Sequence, residues 1–439
     1  MNIQQLIELF TQRYQGLQPE FLVKAPGRVN LIGEHIDYMG YGVLPFALEQ
    51  SCFMLFAIDG NEIQIQHADD QQFKQTCLSV NPKEEYNEIQ NYVKYVLAGY
   101  KAGIQYGNAN QGIKILISGN LPFSSGLSSS SSLVVASSLM SLQVSGKTQQ
   151  DIDRHQFVNQ IIKFEREAGT ACGGMDQTIS VFGQEGSALY IEFDPLKLTQ
   201  VNLPKGYSFI IANSLTESTK LETLGKHYNK RVVECRIGIK LIELALNLET
   251  NFRTLKQLQD HLQLSLESME ELCRFIPKGD LDFEQLQYLN LPKLLSDIPY
   301  FELVLNQNQN VNPYNRLIHV VREAQRVIKF KNICDSKISD DIKAILLGQL
   351  MNQSQKSCKE LYECSSDNID KLTTLCIKNG ALGSRLTGAG WGGCTVSLVK
   401  EQESKIFKNK IIEFFYNHIE NQNHIFSTQP SQGASIIKL

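Results

Sequence analysis

Arg28, Glu34, His35 and Asp37 crowd into ten residues of a stretch, Phe21–Pro45, that Gly27, Gly33 and Gly40 interrupt. Carboxylates accept paired hydrogen bonds from neighbouring hydroxyls, and a guanidinium is a fixed positive charge, so this mixture suits a polar, polyhydroxylated ligand. A solvated charged turn is the alternative reading. A second concentration, Leu121–Ser132, places Gly126 and a run of serines between an apolar strand-like segment and an apolar helix-like one. Backbone N–H groups in such a turn converge on an anion, and the helix that follows adds its positive end. The hydroxyls of Ser128, Ser129 and Ser130 can bond phosphate oxygens or complete the shell of a magnesium ion. A flexible serine linker is the competing reading. In a third loop Asp176 follows Gly173-Gly174-Met175, and Glu165 precedes it on a helical segment. Asp176 could hold or deprotonate an attacking hydroxyl, or simply cap a helix, and Glu165 could ligate magnesium.

These loops need elements to hold them. Hydrophobic spacing predicts a helix over residues 2–15, strands at Ser51–Ile58 and Ile63–His67, a helix over Asn91–Lys101, and the strand Gly112–Ser118 that feeds the serine loop. A helix starting at Leu133, a helix over Gln156–Glu167 and strands at Ser187–Phe193 and Ser208–Asn213 follow. Beyond Pro204-Lys205-Gly206 the chain reads as mainly helical, over His227–Leu246, Leu255–Arg274, Asn315–Val327, Asp341–Glu363 and Ile369–Asn379. A glycine loop, Gly388–Gly393, then leads into a strand at Cys394–Val399, a helix near Ser404–His418 and a last short strand. The division predicted is therefore an α/β domain over 1–206 and a mostly helical α/β domain over 207–439.

At 439 residues, 42% apolar and 20% charged, the chain is globular and suited to two domains. A net charge of −4 and a pI near 6.1 argue against nucleic acid or an anionic membrane as partner. No basic leader precedes an apolar run at Met1–Gln5, so a cytoplasmic protein is expected. Ten scattered cysteines without a Cys-x-x-Cys pair read as reduced thiols. Gly146-Lys147-Thr148 ends like a Walker A loop, but Ser141 occupies the place of its first glycine, and protein-kinase signatures are missing. Phosphate chemistry here needs another scaffold.

Three segments, Gly27–His35, Leu121–Ser130 and Gly383–Cys394, stand in the order found in the GHMP kinases, and the chain resembles the galactokinase branch of that family over nearly its whole length. The resemblance implies an α+β, two-domain fold with the active site in the cleft between domains. It also implies an ATP-dependent, magnesium-requiring sugar 1-kinase acting on galactose, with N-acetylgalactosamine as the alternative substrate and a non-catalytic galactose sensor as a further one. The full-length segment Ser128–Leu133 favours catalysis over the sensor. By position, Arg28 and Asp176 would be catalytic, and Arg28, Glu34, His35, Asp37, Gly173, Asp176 and Tyr228 would bind the sugar. Ser124, Ser125, Gly126, Leu127, Ser128, Ser129 and Ser130 would bind the nucleotide, with Ser130 and Glu165 at magnesium. A monomer is expected. Ser131, Ala389 and Trp391 depart from the family's usual alanine, glycine and phenylalanine. Trp391 is the sole tryptophan, and nucleotide binding is expected to alter its emission.

Overall fold

The computed structural model of the chain describes residues 1–80, 90–107, 110–122, 125–169, 171–217, 225–288, 298, 300–419 and 424–439. Its first sheet is built from β1 (Phe21–Asn30), β2 (Pro45–Ile58), β3 (Glu62–His67), β4 (Thr76–Ser79), β5 (Ile113–Gly119) and, from the other end of the chain, β14 (Ser435–Lys438). Their order is β14-β1-β2-β5-β3-β4, antiparallel except where β3 runs parallel to β5. Because successive strand residues face opposite sides, Met54 and Phe56 of β2 enter one core with Val96, Leu139 and Phe157, while Leu55 and Ala57 meet Leu6 and Phe10 of the helix Ile3–Arg13. The first of these cores is roofed by the helices Asn91–Gly103, Ser129–Val144 and Arg154–Glu167. The hairpin β6 (Ala188–Glu192) and β7 (Lys197–Val201) follows.

A second sheet starts at β8 (Tyr207–Asn213). Next in the sequence comes a separate two-stranded ladder, β9 (Leu281–Asp282) with β10 (Asn310–Val311), and then the remaining strands of the second sheet, β11 (Gly383–Leu386), β12 (Cys394–Lys400) and β13 (Ile425–Thr428). The second sheet is antiparallel in the order β11-β12-β8-β13. Phe209, Ile211, Leu386 and Val396 share an apolar core with Val320 and Val327 of the helix Pro313–Asp335 and with Val29, Leu31 and Ile32 at the end of β1. One continuous core therefore joins the two sheets, and that continuity sets the loop after β1 against the loop after β11. Residues 435–438, counted by sequence with the second half, return to the first sheet beside β1.

Several local expectations change. The sequence reads the polar cluster within Phe21–Pro45 as a glycine-broken loop, yet β1 continues to Asn30 and carries Arg28, with a register shift between Pro26 and Arg28 absorbing the proline and glycine. A Cβ on Gly27 would lie 2.6 Å from the Leu127 carbonyl, so glycine there admits the serine loop to the strand. The single helix expected over Leu255–Arg274 is two, Leu255–Leu262 and Leu266–Cys273. Gln263 turns left-handed between them, and the Ser265 hydroxyl caps the second by accepting from the Ser268 N–H at 3.2 Å. All ten cysteines are free thiols. Among the described residues no helix is long and apolar enough to cross a membrane.

Candidate active site

Arg28 projects from β1 with 2% of its surface exposed. Its Nε donates to Asp176 Oδ1 at 2.7 Å, its Nη1 to the Gly126 carbonyl at 2.6 Å, and its backbone N–H to the Leu127 carbonyl at 3.1 Å. One side chain thus ties the Asp176 loop to the serine loop. Asp176 is the second residue of the helix Met175–Phe182, whose N-cap is Gly174, so the capping reading of Asp176 gives way to a carboxylate in the first helical turn. Asp37 lies across from it. Its Oδ2 accepts from the Met175 N–H at 3.4 Å, and burial, reinforced by the Asp176 charge, raises its pKa above the ordinary carboxylate value.

Arg28, Glu34, His35, Asp37, Asp176 and Tyr228 line one cavity together, with Glu165 also on its wall. Gly173 lies beside it, close enough to Asp37 that an added Cβ would sit 2.2 Å from the carboxyl carbon. Glu34 is 1% exposed; its Oε1 accepts from the Gly388 N–H at 2.6 Å and its Oε2 from the Asn30 amide. Each carboxylate oxygen has two lone pairs, so these bonds leave acceptor capacity toward the cavity. Burial raises the Glu34 pKa, against the pull of Arg385, Arg28 and the Gly388 N–H. The ring of His35 is held by Tyr38 Oη at 2.9 Å on Nδ1 and by the Ala389 carbonyl at 2.8 Å on Nε2. A sugar hydroxyl would have to share or displace one of these partners to reach a ring nitrogen. Tyr228 opens the helix Tyr228–Ala245 and packs 5.5 Å from the His35 ring, and burial pushes its hydroxyl pKa well up.

At the serine loop, Ser128 takes the N-cap position of the helix Ser129–Val144 in a left-handed conformation, φ 62°. Its buried hydroxyl meets no protein partner among the described residues, which is unusual unless a ligand supplies one. Ser129 and Ser130 are half-exposed at the mouth of that helix, while Ser125 is held by its bond to the Pro122 carbonyl at 2.6 Å. Ser124 lies outside the described residues. Glu165 is buried and oriented by two donors, Ser131 Oγ at 2.8 Å and Gln177 Nε2 at 2.6 Å. Ser131, the departure after the serine triplet, therefore bonds a neighbouring carboxylate rather than its own helix. Gly388 and Ala389 also line the cavity, as do Cys172 and Gln177, none of which the residue chemistry alone singled out. Gly388 and Ala389 stood in a glycine motif that meets Glu34 and His35 only through tertiary hydrogen bonds spanning 354 residues.

Known proteins match this arrangement along the chain. The galactokinase galactose-binding signature matches residues 8–58, the GHMP kinases N terminal domain 91–184 and the GHMP kinases C terminal domain 341–417. A galactokinase of Dictyostelium discoideum is 36% identical over 99% of this chain and 93% of its own length, and one of Saccharomyces cerevisiae is 30% identical over 99% and 94%. The crystal structure of Lactococcus lactis galactokinase complexed with galactose shares the fold, with a TM-score of 0.74 at 23% identity over the whole of both chains. A mevalonate kinase shares it more distantly, at a TM-score of 0.54 with 19% identity over 93% of this chain and 98% of its own. Arg28, Glu34, His35 and Asp37 fall in the first matched segment and the serine loop and Asp176 in the second, and with a relative 36% identical over nearly the whole of both chains the chain belongs to the galactokinase family of the GHMP kinases.

Proposed function

We propose that the protein transfers the terminal phosphoryl group of ATP to the anomeric hydroxyl of galactose, giving galactose 1-phosphate and ADP. The observation that carries this reading is the buried Arg28–Asp176 pair at 2.7 Å, standing between the polar wall and the serine loop. Glu34, Asp37, the Gly173 backbone and Tyr228 receive the sugar, with His35 bracing that wall. A hydroxyl missing from its place would leave one of these buried groups unpaired, a penalty of about 1–3 kcal/mol per group, and this discriminates between epimers. Asp176 orients the anomeric hydroxyl and takes its proton as the new oxygen–phosphorus bond forms and the bond to the departing ADP oxygen breaks. Arg28, bonded at once to Asp176 and to Gly126, keeps acceptor and donor in register and sets positive charge beside the transferring group.

The phosphates lie at the serine loop, where Gly126 and Ser128 take left-handed conformations just before the positive end of the helix Ser129–Val144. The Ser130 hydroxyl and the Glu165 carboxylate form an oxygen-only donor set, which fits magnesium completed by phosphate oxygens. When bound, that ion neutralises charge on the phosphates. The chain's own part is to fix Glu165 through Ser131 and Gln177.

Purified protein given magnesium-ATP and, separately, galactose, N-acetylgalactosamine, glucose and mevalonate is expected to release ADP fastest with galactose. The product should carry its phosphate on the anomeric carbon by phosphorus NMR. Preference for N-acetylgalactosamine would reassign the substrate. Thermal stabilisation by galactose without turnover would instead make the protein a sensor.

A further inference from the structure

Residues 30–35 are gripped from the second half of the chain by groups that have no contact with the proposed reacting atoms. Arg385 on β11, fully buried, donates from Nη1 to the Asn30 carbonyl at 3.1 Å and lies 3.5 Å from Glu34 Oε2. Its Nη2 lies 3.8 Å from Glu323 Oε1. Glu323, also fully buried, accepts the Gly33 N–H at 2.9 Å and the Ser354 hydroxyl at 2.6 Å on Oε1, and Arg326 Nε at 2.6 Å on Oε2. His319, Glu323 and Val327 stand four residues apart on the helix Pro313–Asp335, and so share a face. His319 Nε2 meets the Glu34 carbonyl at 3.1 Å, and a Cβ on Gly33 would come within 3.0 Å of Val327. That face is a template for the Gly33–Glu34 peptide.

We propose that Arg385 and Glu323 are positioning residues for sugar binding, acting through the Glu34 carboxylate and the Gly33 peptide. This rests on the reading of Glu34 as a sugar-facing acceptor. A cluster of two carboxylates and two guanidiniums, all but Arg326 fully buried, adds little stability, since well-packed apolar residues commonly do as well or better. Its geometry has a use at a ligand wall. Glu34 presents its carboxylate to the cavity, and a carboxylate in that place must be both ionised and fixed in rotamer to accept from a hydroxyl. Arg385 stands behind it as counter-charge, and Glu323 holds Arg385 in turn while fixing Gly33 at φ 107°. The chain from helix face to arginine ends at Glu34 on the cavity wall, and among the described residues no hydrogen bond or ion pair joins its side chains to the serine loop.

The test uses the full-length protein with Glu34→Gln, Arg385→Lys, Glu323→Gln and the combined Glu34→Gln/Arg385→Lys. KM for galactose and for ATP would be measured in each, and galactose affinity by calorimetry without nucleotide. Arg385→Lys keeps the charge but loses the fork, and is expected to raise galactose KM and Kd about tenfold with ATP KM within about twofold. Glu323→Gln keeps an acceptor for Gly33 and should raise galactose KM roughly threefold to tenfold; it decides the matter if the lysine variant does not fold. Because Arg385 acts through Glu34, the combined variant should be no worse than Glu34→Gln alone to within about twofold. Multiplying losses, equal rises in both KM values, or wild-type galactose KM in the Arg385 and Glu323 variants would overturn the proposal. An unchanged galactose KM in Glu34→Gln would instead remove the sugar-facing reading beneath it.

Discussion

At the scale of single residues the Arg28–Asp176 pair is the centre of the site, and its two bonds on Arg28 make the roles separable. Asn at 176 keeps an oxygen for the 2.7 Å bond from Arg28 Nε but cannot take a proton. Asp176→Asn is therefore expected to lower kcat by roughly 10²–10⁴-fold while leaving nucleotide affinity, measured by calorimetry, within about threefold. Activity near that of the wild type would remove Asp176 from proton transfer and leave it an orienting group only. The types of these residues were readable from sequence. Arg28, Asp37 and Asp176 are charges set among glycines, where a solvated face would need no such turns. What was not readable is that Arg28 sits on a strand, because Pro26-Gly27 ends most strands and here only shifts the register. The engagement of both His35 nitrogens was equally hidden, since Ala389 reaches it from 354 residues away.

At the scale of elements, loops carry the chemistry and regular segments carry the distances between them. Arg385, Glu323 and His319 escape a sequence reading for that reason: each lies in a strand or helix where its spacing reads as core or solvated face, and only tertiary packing aims it at Gly33 and Glu34. Gly173 shows how tightly the loops are fitted. Substituting alanine would bring a Cβ to 2.2 Å from Asp37 Cγ and 2.4 Å from the Tyr38 backbone nitrogen, and backbone cannot step aside as a flexible side chain can. Gly173→Ala should raise galactose KM at least about tenfold with ATP KM little changed, and lower stability by about 1–3 kcal/mol. Unaltered galactose kinetics would mean that the loop rests elsewhere when sugar binds. Trp391 tests the third glycine loop. Its indole stacks on His227 at 4.9 Å and lies 5.6 Å from the His35 ring, so galactose alone, as well as nucleotide, should shift its emission. A flat fluorescence titration in a protein that calorimetry shows to bind galactose would contradict that placement.

Across the whole molecule, the two sheets meet at polar contacts as well as through a shared apolar core, and one of those contacts titrates in an accessible range. His319 is fully buried between the Ser357 hydroxyl, 2.8 Å from Nδ1, and the Glu34 carbonyl, 3.1 Å from Nε2. The carbonyl can only accept, so Nε2 carries a proton, and burial favours the neutral ring. Burial pushes its pKa down to about 4 from 6.5, against the pull of Glu323. Between those values the unfolded chain takes up a proton that the folded chain refuses, so the histidine's contribution is full above 6.5 and is lost as pH falls toward 4. The loss amounts to about 3 kcal/mol. Glu34 and Asp37 act in the opposite sense, because their raised pKa values let the folded chain bind protons earlier. Glu323, held down at about 2 because Arg326 and Arg385 outweigh its burial, loses its contribution only below the usual carboxylate range. Comparison with His319→Asn cancels these carboxylates, since the amide can still donate to the Glu34 carbonyl but does not titrate. Urea unfolding of both proteins from pH 7 to pH 4 should show the wild type losing stability relative to the variant, most steeply between about pH 6.5 and 4.5. A pH-independent difference would show that His319 is solvated and that the halves meet there through water instead of through a dry contact.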